Sequence, residues 1–380
     1  MDGFDFEYKN TKLYFGEGSV KKLAKDLKGI ERATIATGSS AAKASGALAD
    51  VTAVLAELDI DYNIYDKITA NPTVEESQGL ASAAWDNASE AIIAIGGGST
   101  IDAAKFASIV KMNGGKVLDY FYGSLKIRDG IPVYAVNLTH GTGTEVDRYA
   151  VLTDPEKKEK RGFSVAYPKA SVDDPKYMQT LPKEQKLYTS LDAFYHSYEA
   201  TTRLDSSFYV EFIAKEAASN IATWLPVGVA DYSKQEVPYW LLYASMMAGM
   251  AIDMAGTHII HMLEHALSGI NQSLPHGAGL AILGPRAAYY THKLSPRKSA
   301  SVLFALNHEI KPIAEDAEEA ESSVTRFQES LGFEKTLSDY GFDRKDVNDI
   351  VDLATHSRPL QKEIMPMDES MLKDIVLSSI

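Results

Sequence analysis

The sequence predicts two domains, a parallel α/β domain over residues 1–182 and an all-helical domain over residues 183–380. Two observations carry this fold class. Up to about residue 180, short apolar runs alternate with helical segments, whereas beyond residue 183 only helical periodicity remains. Apolar strands that alternate with helices are typical of a parallel sheet covered by helices on both faces.

The predicted elements follow from the spacing of apolar residues. Strand-like runs lie at residues 12–15, 33–36, 62–65, 91–95 and 133–138. Helical segments lie between them, at residues 20–27, in a stretch that ends near residue 58, and at residues 75–88 and 100–110. In the second domain, the most apolar segment is residues 239–252. It is shorter than the roughly 18 apolar residues that a membrane span needs, so we expect a buried helix.

Composition excludes several classes of function. The formal net charge of −14 argues against nucleic acid or an anionic membrane as a partner. The chain has no cysteine, which excludes disulfides, thiolate nucleophiles, iron–sulfur clusters and thiolate-bound zinc. The first residues lack the basic region and apolar run of a signal peptide, so we expect a soluble, cytoplasmic protein.

Residues 257–279 hold four of the nine histidines. His261 and His265 are four residues apart and therefore share one face of a helix, with His258 one turn earlier and close to that face. We expect residues 275–277 to form a turn that carries a fourth imidazole back towards the helix. For His258 alone, a hydrogen-bonded core histidine is the better interpretation.

A second pair of candidate ligands precedes this stretch. Asp192 and His196 place a carboxylate and an imidazole one helical turn apart. Two helices and a turn can therefore bring one aspartate and three histidines to a single divalent cation. The alternative is a set of buried histidines that only stabilise the helices.

A glycine-rich segment follows the strand-like run at residues 91–95. It consists of Gly96, Gly97, Gly98, Ser99 and Thr100, and leads into a helix that carries Asp102 and Lys105 in its first turn. Glycines let the backbone approach a phosphate, and the helix N-terminus supplies free N–H groups. The usual dinucleotide fingerprint is absent because Ile101 occupies its last glycine position. The alternative is a tight turn with no ligand.

A second loop of small residues, at residues 139–145, follows the run at residues 133–138. The carboxyl ends of parallel strands meet at the same edge of a sheet. Two such loops therefore indicate one nucleotide-binding crevice.

Five segments form a combination that is specific as a set. They are Gly96-Gly-Gly-Ser-Thr-Ile-Asp-Ala-Ala-Lys105, Thr142-Gly-Thr-Glu145, Asp192-x-x-x-His196, His261-x-x-x-His265 and Pro275-His276-Gly277. Together they resemble the iron-dependent (group III) alcohol dehydrogenase family, and most of all its bacterial butanol-dehydrogenase and aldehyde-reductase branch. The resemblance covers nearly the whole chain.

The resemblance implies an N-terminal Rossmann-like domain, a helical C-terminal domain and a catalytic divalent metal. The implied metal ligands are Asp192, His196, His261 and His276. His265 matches a further histidine beside the nicotinamide, which is given a role in proton relay. We expect Fe²⁺ from the resemblance, with Zn²⁺ as a competitor because its intrinsic affinity for such ligands is higher.

The resemblance also implies the dinucleotide contacts. The phosphate-binding residues would be Gly97, Gly98 and Ser99, with Asp102 alongside, Thr139 and Thr142 near the cofactor, and Lys160 reaching the dinucleotide. Two departures stand out. Leu138 and His140 replace small residues of the family motif, and the interval from His265 to His276 is one residue longer.

The choice of nicotinamide cofactor depends on the end of the strand-like run at residues 33–36. Dinucleotide folds that prefer NAD place a carboxylate there, which binds the ribose and repels a 2′-phosphate. This chain has Gly38 at the position where NAD-using relatives tend to carry aspartate. Ser39, Ser40 and Lys43 can bind a phosphate instead, so the sequence predicts a preference for NADP(H) over NAD(H). The alternative is a helix cap with weak selectivity.

The function predicted from these features is metal-dependent hydride transfer between NADP(H) and a small alcohol or aldehyde, in which the metal polarises the substrate oxygen. One alternative is a dehydroquinate-synthase-like lyase, which needs a basic cluster for an acidic substrate. The close basic residues are Arg286, Lys293, Arg297 and Lys298, and they are expected at the surface. The other alternative, a non-catalytic dinucleotide-binding protein, would have no use for a complete ligand set.

The segment Phe4–Tyr8 alternates apolar and acidic residues. Such a segment can add to the edge of a sheet, either within its own subunit or across a two-fold axis. We therefore expect a homodimer or a higher homo-oligomer.

Overall fold

The computed structural model describes residues 1, 3–358, 360–361 and 364–380. The chain forms two compact units. The first comprises residues 1–154 and 161–182, and the second comprises residues 155–160 and 183–380. The short segment 155–160 therefore belongs to the second unit, although the sequence predicted an uninterrupted first domain up to residue 182.

The first unit contains a seven-stranded sheet in the order β1-β2-β9-β6-β5-β3-β4, in which all neighbours are parallel except β1 and β2. This confirms the predicted parallel sheet. The strands β7 and β8 form a separate pair, and neither they nor β9 were predicted, because β9 is short and β8 is rich in charge. The strands are β1 (Phe4–Tyr8), β2 (Thr11–Phe15), β3 (Arg32–Thr37), β4 (Asp61–Tyr65), β5 (Ala91–Gly96), β6 (Val133–Asn137), β7 (Tyr149–Asp154), β8 (Glu159–Ser164) and β9 (Ala170–Asp173).

Helices cover the sheet of the first unit on both faces. Successive side chains of a strand point to opposite faces, so a strand buried on both must be apolar throughout. In β5, Ile93 and Ile95 join one apolar cluster, and Ile92 and Ala94 join the other. The helices of this unit are α1 (Ala24–Leu27), α2 (Ala41–Ala44), α3 (Ala47–Glu57), α4 (Val74–Asp86), α5 (Gly98–Asn113) and α6 (Val117–Phe121).

The order of the strands reverses between β3 and β5. The chain passes from β3 outward to β4 and then returns to β5 on the other side of β3. Thr37 of β3 is paired with Ile95 of β5, and Gly96 is paired with Asn137 of β6, so the three strands end side by side. Open α/β sheets bind ligands at the carboxyl ends of strands at such a reversal.

The second unit is helical throughout its described residues from 183 onward, as predicted. The helix α7 packs against α8, α9 and α11. Among the described residues, no helix is both long and apolar enough to cross a membrane, and the predicted segment at residues 239–252 lies within α9. The helices are α7 (Lys183–Thr202), α8 (Phe208–Ala230), α9 (Glu236–Ala255), α10 (Ile259–Ile270), α11 (His276–Leu294), α12 (Pro296–Leu303), α13 (Ala317–Ser330), α14 (Val347–Ser357) and α15 (Glu369–Ser378).

The prediction of a turn at residues 275–277 was wrong. Pro275 is the residue that caps α11, and His276 is the first residue of that helix. Proline suits the start of a helix because the first N–H groups have no intrahelical acceptor. The imidazole of His276 is consequently carried by a helix rather than by a loop.

Candidate metal centre and phosphate loops

Three helices of the second unit bring together the four residues that the resemblance implied as metal ligands. Asp192 and His196 lie one turn apart on α7, His261 lies on α10, and His276 begins α11. The Nε2 atoms of His196, His261 and His276 lie 3.4, 3.5 and 3.7 Å from the same atom, Asp192 Oδ1. Three imidazole nitrogens therefore surround one carboxylate oxygen.

The bonding of these atoms shows that a divalent cation fits here. Asp192 Oδ1 and His261 Nε2 are buried and have no hydrogen-bond partner among the described residues. Buried polar atoms normally have partners because leaving them without one costs about 1–3 kcal/mol. The ligand atoms of Asp192, His261 and His276 all lie within 4.8 Å of one another. Carboxylate and imidazole ligands suit Zn²⁺ and Fe²⁺.

The charge states of Asp192 and His196 suit a cation. Burial by itself raises the pKa of the Asp192 carboxyl. The imidazoles of His196 and His276 lower this pKa by a larger amount, so it lies below the ordinary value. Burial lowers the pKa of the His196 imidazole to about 4, despite the attraction of Asp192. An ionised carboxylate and a neutral imidazole are the forms that bind metal. At His261, burial lowers the pKa of the imidazole, but Glu199 and Asp192 raise it by more, to about 9, so a cation would displace a proton there.

A buried carboxylate that the sequence interpretation missed, Glu199, lies behind His261. Its Oε2 pairs with His261 Nδ1, and its Oε1 accepts a hydrogen bond of 2.6 Å from the backbone N–H of Ile260. His258 lies 3.1 Å from Glu199 and is hydrogen-bonded to Thr202, as expected of a core histidine. Carboxylates in this position fix the orientation and tautomer of a ligating histidine.

Glu199 could have been found from its spacing. It lies three residues beyond His196 and seven beyond Asp192, so all three residues share one face of α7. The side chain is completely buried, which a charged residue tolerates only with partners.

A second carboxylate, Glu264 on α10, lies behind His276 and was also missed. Its Oε2 pairs with His276 Nδ1, and its Oε1 accepts a hydrogen bond from Ser268. Lys160 Nζ lies 3.3 Å from Glu264 Oε2 and 3.4 Å from His276 Nδ1. The resemblance implied that Lys160 reaches the dinucleotide, and the structure places it beside this carboxylate.

The structure places His265 next to the ligand cluster. Its ring centroid is 5.7 Å from that of His276 and 6.4 Å from that of His261. Burial lowers the pKa of the His265 imidazole well below its usual value, and the charge of Lys160 lowers it further. A neutral imidazole at this place can accept a proton.

In the first unit, the two predicted loops meet through glycines. A Cβ atom at Gly97 would lie 2.6 Å from Thr139 Cγ2, and one at Gly98 would lie 2.5 Å from Thr142 Cγ2. Both positions therefore require glycine, because a Cβ contact below about 3 Å forces atoms apart. Ser99 lies in the first turn of α5, and the first N–H groups of a helix have no intrahelical acceptor and can bind an anion.

Asp102 and Lys105 hold the second loop in place. Asp102 accepts hydrogen bonds from the Thr144 hydroxyl, at 2.6 Å, and from the Val151 N–H, at 2.8 Å. The fully buried ammonium group of Lys105 donates to Thr144, Asp147 and Tyr149. His140, in the same loop, is also completely buried.

The residues predicted to select the cofactor follow β3. Ser39 and Ser40 come after Gly38 and are exposed, as is Lys43 on α2. A Cβ atom at Gly38 would lie 3.0 Å from the carbonyl oxygen of Ile68, which is a close contact. Because β3 pairs with β5, the residues that follow β3 lie beside the glycine-rich loop that follows β5.

The basic cluster that a lyase would need is engaged in other contacts. Arg286 forms salt bridges with Glu321 and Asp374, and Arg297 forms one with Glu211. Lys298, a neighbour of Arg297, donates hydrogen bonds to backbone carbonyls. These contacts argue against an anionic substrate at this place.

Comparison with known proteins identifies the family. The family model described as "Iron-containing alcohol dehydrogenase" matches residues 10–175. The family model described as "Fe-containing alcohol dehydrogenase family, C-terminal" matches residues 186–380. The chain is 37% identical over 360 residues to the long-chain primary alcohol dehydrogenase AdhA of Thermoanaerobacter ethanolicus, covering 92% of this chain and 90% of that protein. It is 30% identical over 362 residues to the 1,3-propanediol dehydrogenase of Klebsiella pneumoniae, covering 92% of each.

A solved structure shows the same architecture. The NADH-dependent butanol dehydrogenase A of Thermotoga maritima superposes with a TM-score of 0.88 at 26% identity, covering 98% of each chain. These matches confirm the resemblance that the motifs indicated. The chain therefore belongs to the iron-containing alcohol dehydrogenase family of oxidoreductases.

Proposed function

We propose that this protein transfers a hydride between NADP(H) and a small primary alcohol or aldehyde, with a divalent cation held by Asp192, His196, His261 and His276. The observation that supports this most is the convergence of three Nε2 atoms on Asp192 Oδ1, a buried oxygen that has no hydrogen-bond partner in the described part of the chain. We propose Fe²⁺ as the native metal and Zn²⁺ as a competitor.

Asp192, His196, His261 and His276 would hold the cation, which when bound would act as a Lewis acid towards the substrate oxygen. Asp192 contributes the only negative charge among the four ligands. Glu199 and Glu264 each hold the Nδ1 side of a ligating imidazole, which directs the Nε2 of His261 and His276 towards Asp192. These residues therefore set the site before substrate arrives.

His265 is the proposed proton-exchange residue. The hydroxyl proton leaves when an alcohol is oxidised, and a proton arrives when an aldehyde is reduced. The lowered pKa of His265 keeps its imidazole neutral before the proton transfer and also makes it a weaker base than a free imidazole. Its position beside the rings of His261 and His276 supports this role.

The first unit supplies the dinucleotide contacts in this proposal. The N–H groups at the start of α5, around Gly98 and Ser99, would bind the diphosphate, and Thr139 and Thr142 flank them. Ser39, Ser40 and Lys43 favour NADP(H) over NAD(H). This preference is proposed for this chain alone, since the Thermotoga butanol dehydrogenase is named as NADH-dependent.

The names of the relatives support primary alcohols as the substrate class. They refer to long-chain primary alcohols, 1,3-propanediol and butanol. The test is a panel of linear aldehydes assayed with NADPH and with NADH on protein of measured metal content. We expect aldehyde-dependent oxidation of NADPH that is lost when a chelator removes the metal. Turnover of a substrate without net consumption of cofactor would support a lyase instead.

We also propose a homodimer that forms through β1. This strand lies at one end of the strand order and pairs with β2 of its own chain, and an edge strand can pair with the same strand of a second copy. Multi-angle light scattering at assay concentration should give twice the mass of the chain. A monomer would contradict the proposal.

A further inference from the structure

The segment 155–160 comprises the connection from β7 to β8 and the first two residues of β8, and it belongs to the helical unit. Gly269 of α10 lets the helix approach this segment, because a Cβ atom at Gly269 would collide with the backbone of Lys158. The close approach carries the side chain of Lys160, which is only 5% exposed, to the interior of the unit.

Lys160 meets a carboxylate there that has few other partners. Glu264 is completely buried, and its contacts are His276 Nδ1, the Ser268 hydroxyl and Lys160 Nζ at 3.3 Å. A buried carboxylate is held in one position by the charges and donors around it, and removal of one partner of a buried ion pair is strongly destabilising. Lys160 is therefore one of the three groups among the described residues that hold the Glu264 carboxylate, and it is the one that carries a fixed positive charge.

His261 also has a carboxylate behind it, Glu199. Within the residues that the structure describes, the position of Glu199 does not depend on a lysine. Glu199 is held by the backbone N–H of Ile260 at 2.6 Å and that of His261 at 3.3 Å, which a side-chain substitution elsewhere does not remove. The His261 side chain is 4% exposed, whereas that of His276 is 24% exposed. The orientation of His276 is therefore more easily changed than that of His261.

We propose that Lys160 is a positioning residue of the metal site, which fixes the Glu264 carboxylate against His276 Nδ1 and thereby directs His276 Nε2 towards Asp192. This inference rests on the proposed metal-dependent function. It differs from the role of a dinucleotide contact, which the resemblance implied for Lys160, and the two roles predict different losses.

The test compares Lys160→Met, which removes the charge but keeps the length of the side chain, with Lys160→Arg, which keeps the charge. Lys158→Met is the matched control, because Lys158 is an exposed lysine of the same segment. The measurements are the dissociation constant for Zn²⁺ in competition with a chromophoric chelator, the visible spectrum of the Co²⁺-loaded protein, and NADPH binding by fluorescence.

Substitution of residues that support a metal ligand typically costs 10–100-fold in affinity or activity. We expect Lys160→Met to weaken Zn²⁺ binding by about 10-fold or more and to change the Co²⁺ spectrum, with NADPH affinity close to that of the wild type. Lys160→Arg should recover much of the Zn²⁺ affinity, and Lys158→Met should match the wild type. Unchanged Zn²⁺ binding together with weakened NADPH binding would overturn the inference.

A double substitution keeps the test decisive if Lys160→Met is poorly folded. Glu264→Gln removes the charge that Lys160 pairs with, so the double variant leaves no unpaired buried charge. If Lys160 acts through Glu264, adding Lys160→Met to Glu264→Gln should cost little further Zn²⁺ affinity. Additive losses would overturn the inference. A wild-type chain that binds neither Zn²⁺ nor Co²⁺ would instead refute the proposed function itself.

Discussion

The candidate metal centre and the two candidate phosphate loops, at residues 96–100 and 139–145, are built in opposite ways. The metal centre consists of side-chain atoms on three packed helices, with Glu199 and Glu264 behind two of the ligands. In the candidate phosphate loops, the proposed binding groups are backbone N–H groups. Gly97 and Gly98 let the two loops approach each other because they lack a Cβ atom. A substitution in the first region therefore removes a ligand and leaves the scaffold, whereas a substitution in the second adds atoms and displaces backbone.

The largest effect is expected at a ligand. His261→Ala should lose most of the bound metal and nearly all aldehyde reduction. The packed helices should keep the overall fold, but the free energy of unfolding should fall because the buried Glu199 loses its imidazole partner. Metal content by mass spectrometry and helix content by circular dichroism measure the two parts. His356→Ala is the control, since His356 is an exposed histidine on α14.

His258 is less suitable as a control than its sequence position indicated. It contacts Glu199, which holds His261, so His258→Ala should lower stability even where activity survives. Full metal content and full turnover in His261→Ala would contradict the ligand assignment.

The next effect separates metal binding from proton transfer. His265→Ala should lower turnover by roughly 10²–10⁴-fold, or by less if water substitutes for the imidazole, at unchanged metal content. Steady-state kinetics and metal analysis on the same preparation check this. Metal loss as large as that of His261→Ala would show that His265 is a ligand.

These first two predictions concern residues that the sequence revealed directly. Histidines and aspartate at helical spacing are rare enough to stand out and indicated a cation site, while the resemblance implied which of them are ligands and gave His265 its role in proton relay. Glu199 and Glu264 lack that signal, because a glutamate in a helix usually faces solvent. Lys160 was even harder to place, since its partner Glu264 lies 104 residues away in the sequence.

The fold shows the same division. The strands of the parallel sheet were predicted because burial on both faces makes them apolar, as in β5. The hairpin of β7 and β8 was missed, because β8 begins with Glu159, Lys160 and Arg161, which resemble an exposed loop. Burial of those charges depends on partners in distant segments, and local periodicity carries no information about them.

The phosphate loops should respond to added volume. Gly98→Ala would place a Cβ atom 2.5 Å from Thr142 Cγ2 and 2.9 Å from Thr142 Oγ1, so the loops must separate. We expect NADPH binding to weaken by about 10-fold, equivalent to about 1.4 kcal/mol and within the usual cost of overpacking, at unchanged metal content.

Two variants sharpen the interpretation of Gly98→Ala. Thr142→Ser removes the methyl group that the new Cβ would meet, so it should restore part of the NADPH affinity in the Gly98→Ala background. Gly162→Ala is the matched control, because its Cβ would meet Val151 Cγ2 at an ordinary 3.5 Å. If Gly98→Ala and Gly162→Ala lose the same amount of NADPH affinity, the close packing of the two loops is not required for cofactor binding.

The smallest predicted effect concerns the choice between NADP(H) and NAD(H). Lys43 is exposed on the short helix α2, and an exposed charge pair contributes about 0.2–1 kcal/mol. Lys43→Met should therefore reduce the ratio of kcat/KM for NADPH to that for NADH by up to about fivefold. The reduction should fade as salt is added, because screening weakens exposed pairs.

Gly38 tests the same preference with a steric control. Gly38→Asp adds a charge that repels a 2′-phosphate, but it also adds a Cβ atom 3.0 Å from the Ile68 carbonyl oxygen. Gly38→Ala adds only the Cβ atom, so it should weaken both cofactors alike. The difference in cofactor affinity between the two variants is due to the added charge. We expect this difference for NADPH and not for NADH. If the wild type prefers NADH, or if Gly38→Asp and Gly38→Ala have the same cofactor ratio, the residues after β3 do not select the phosphate.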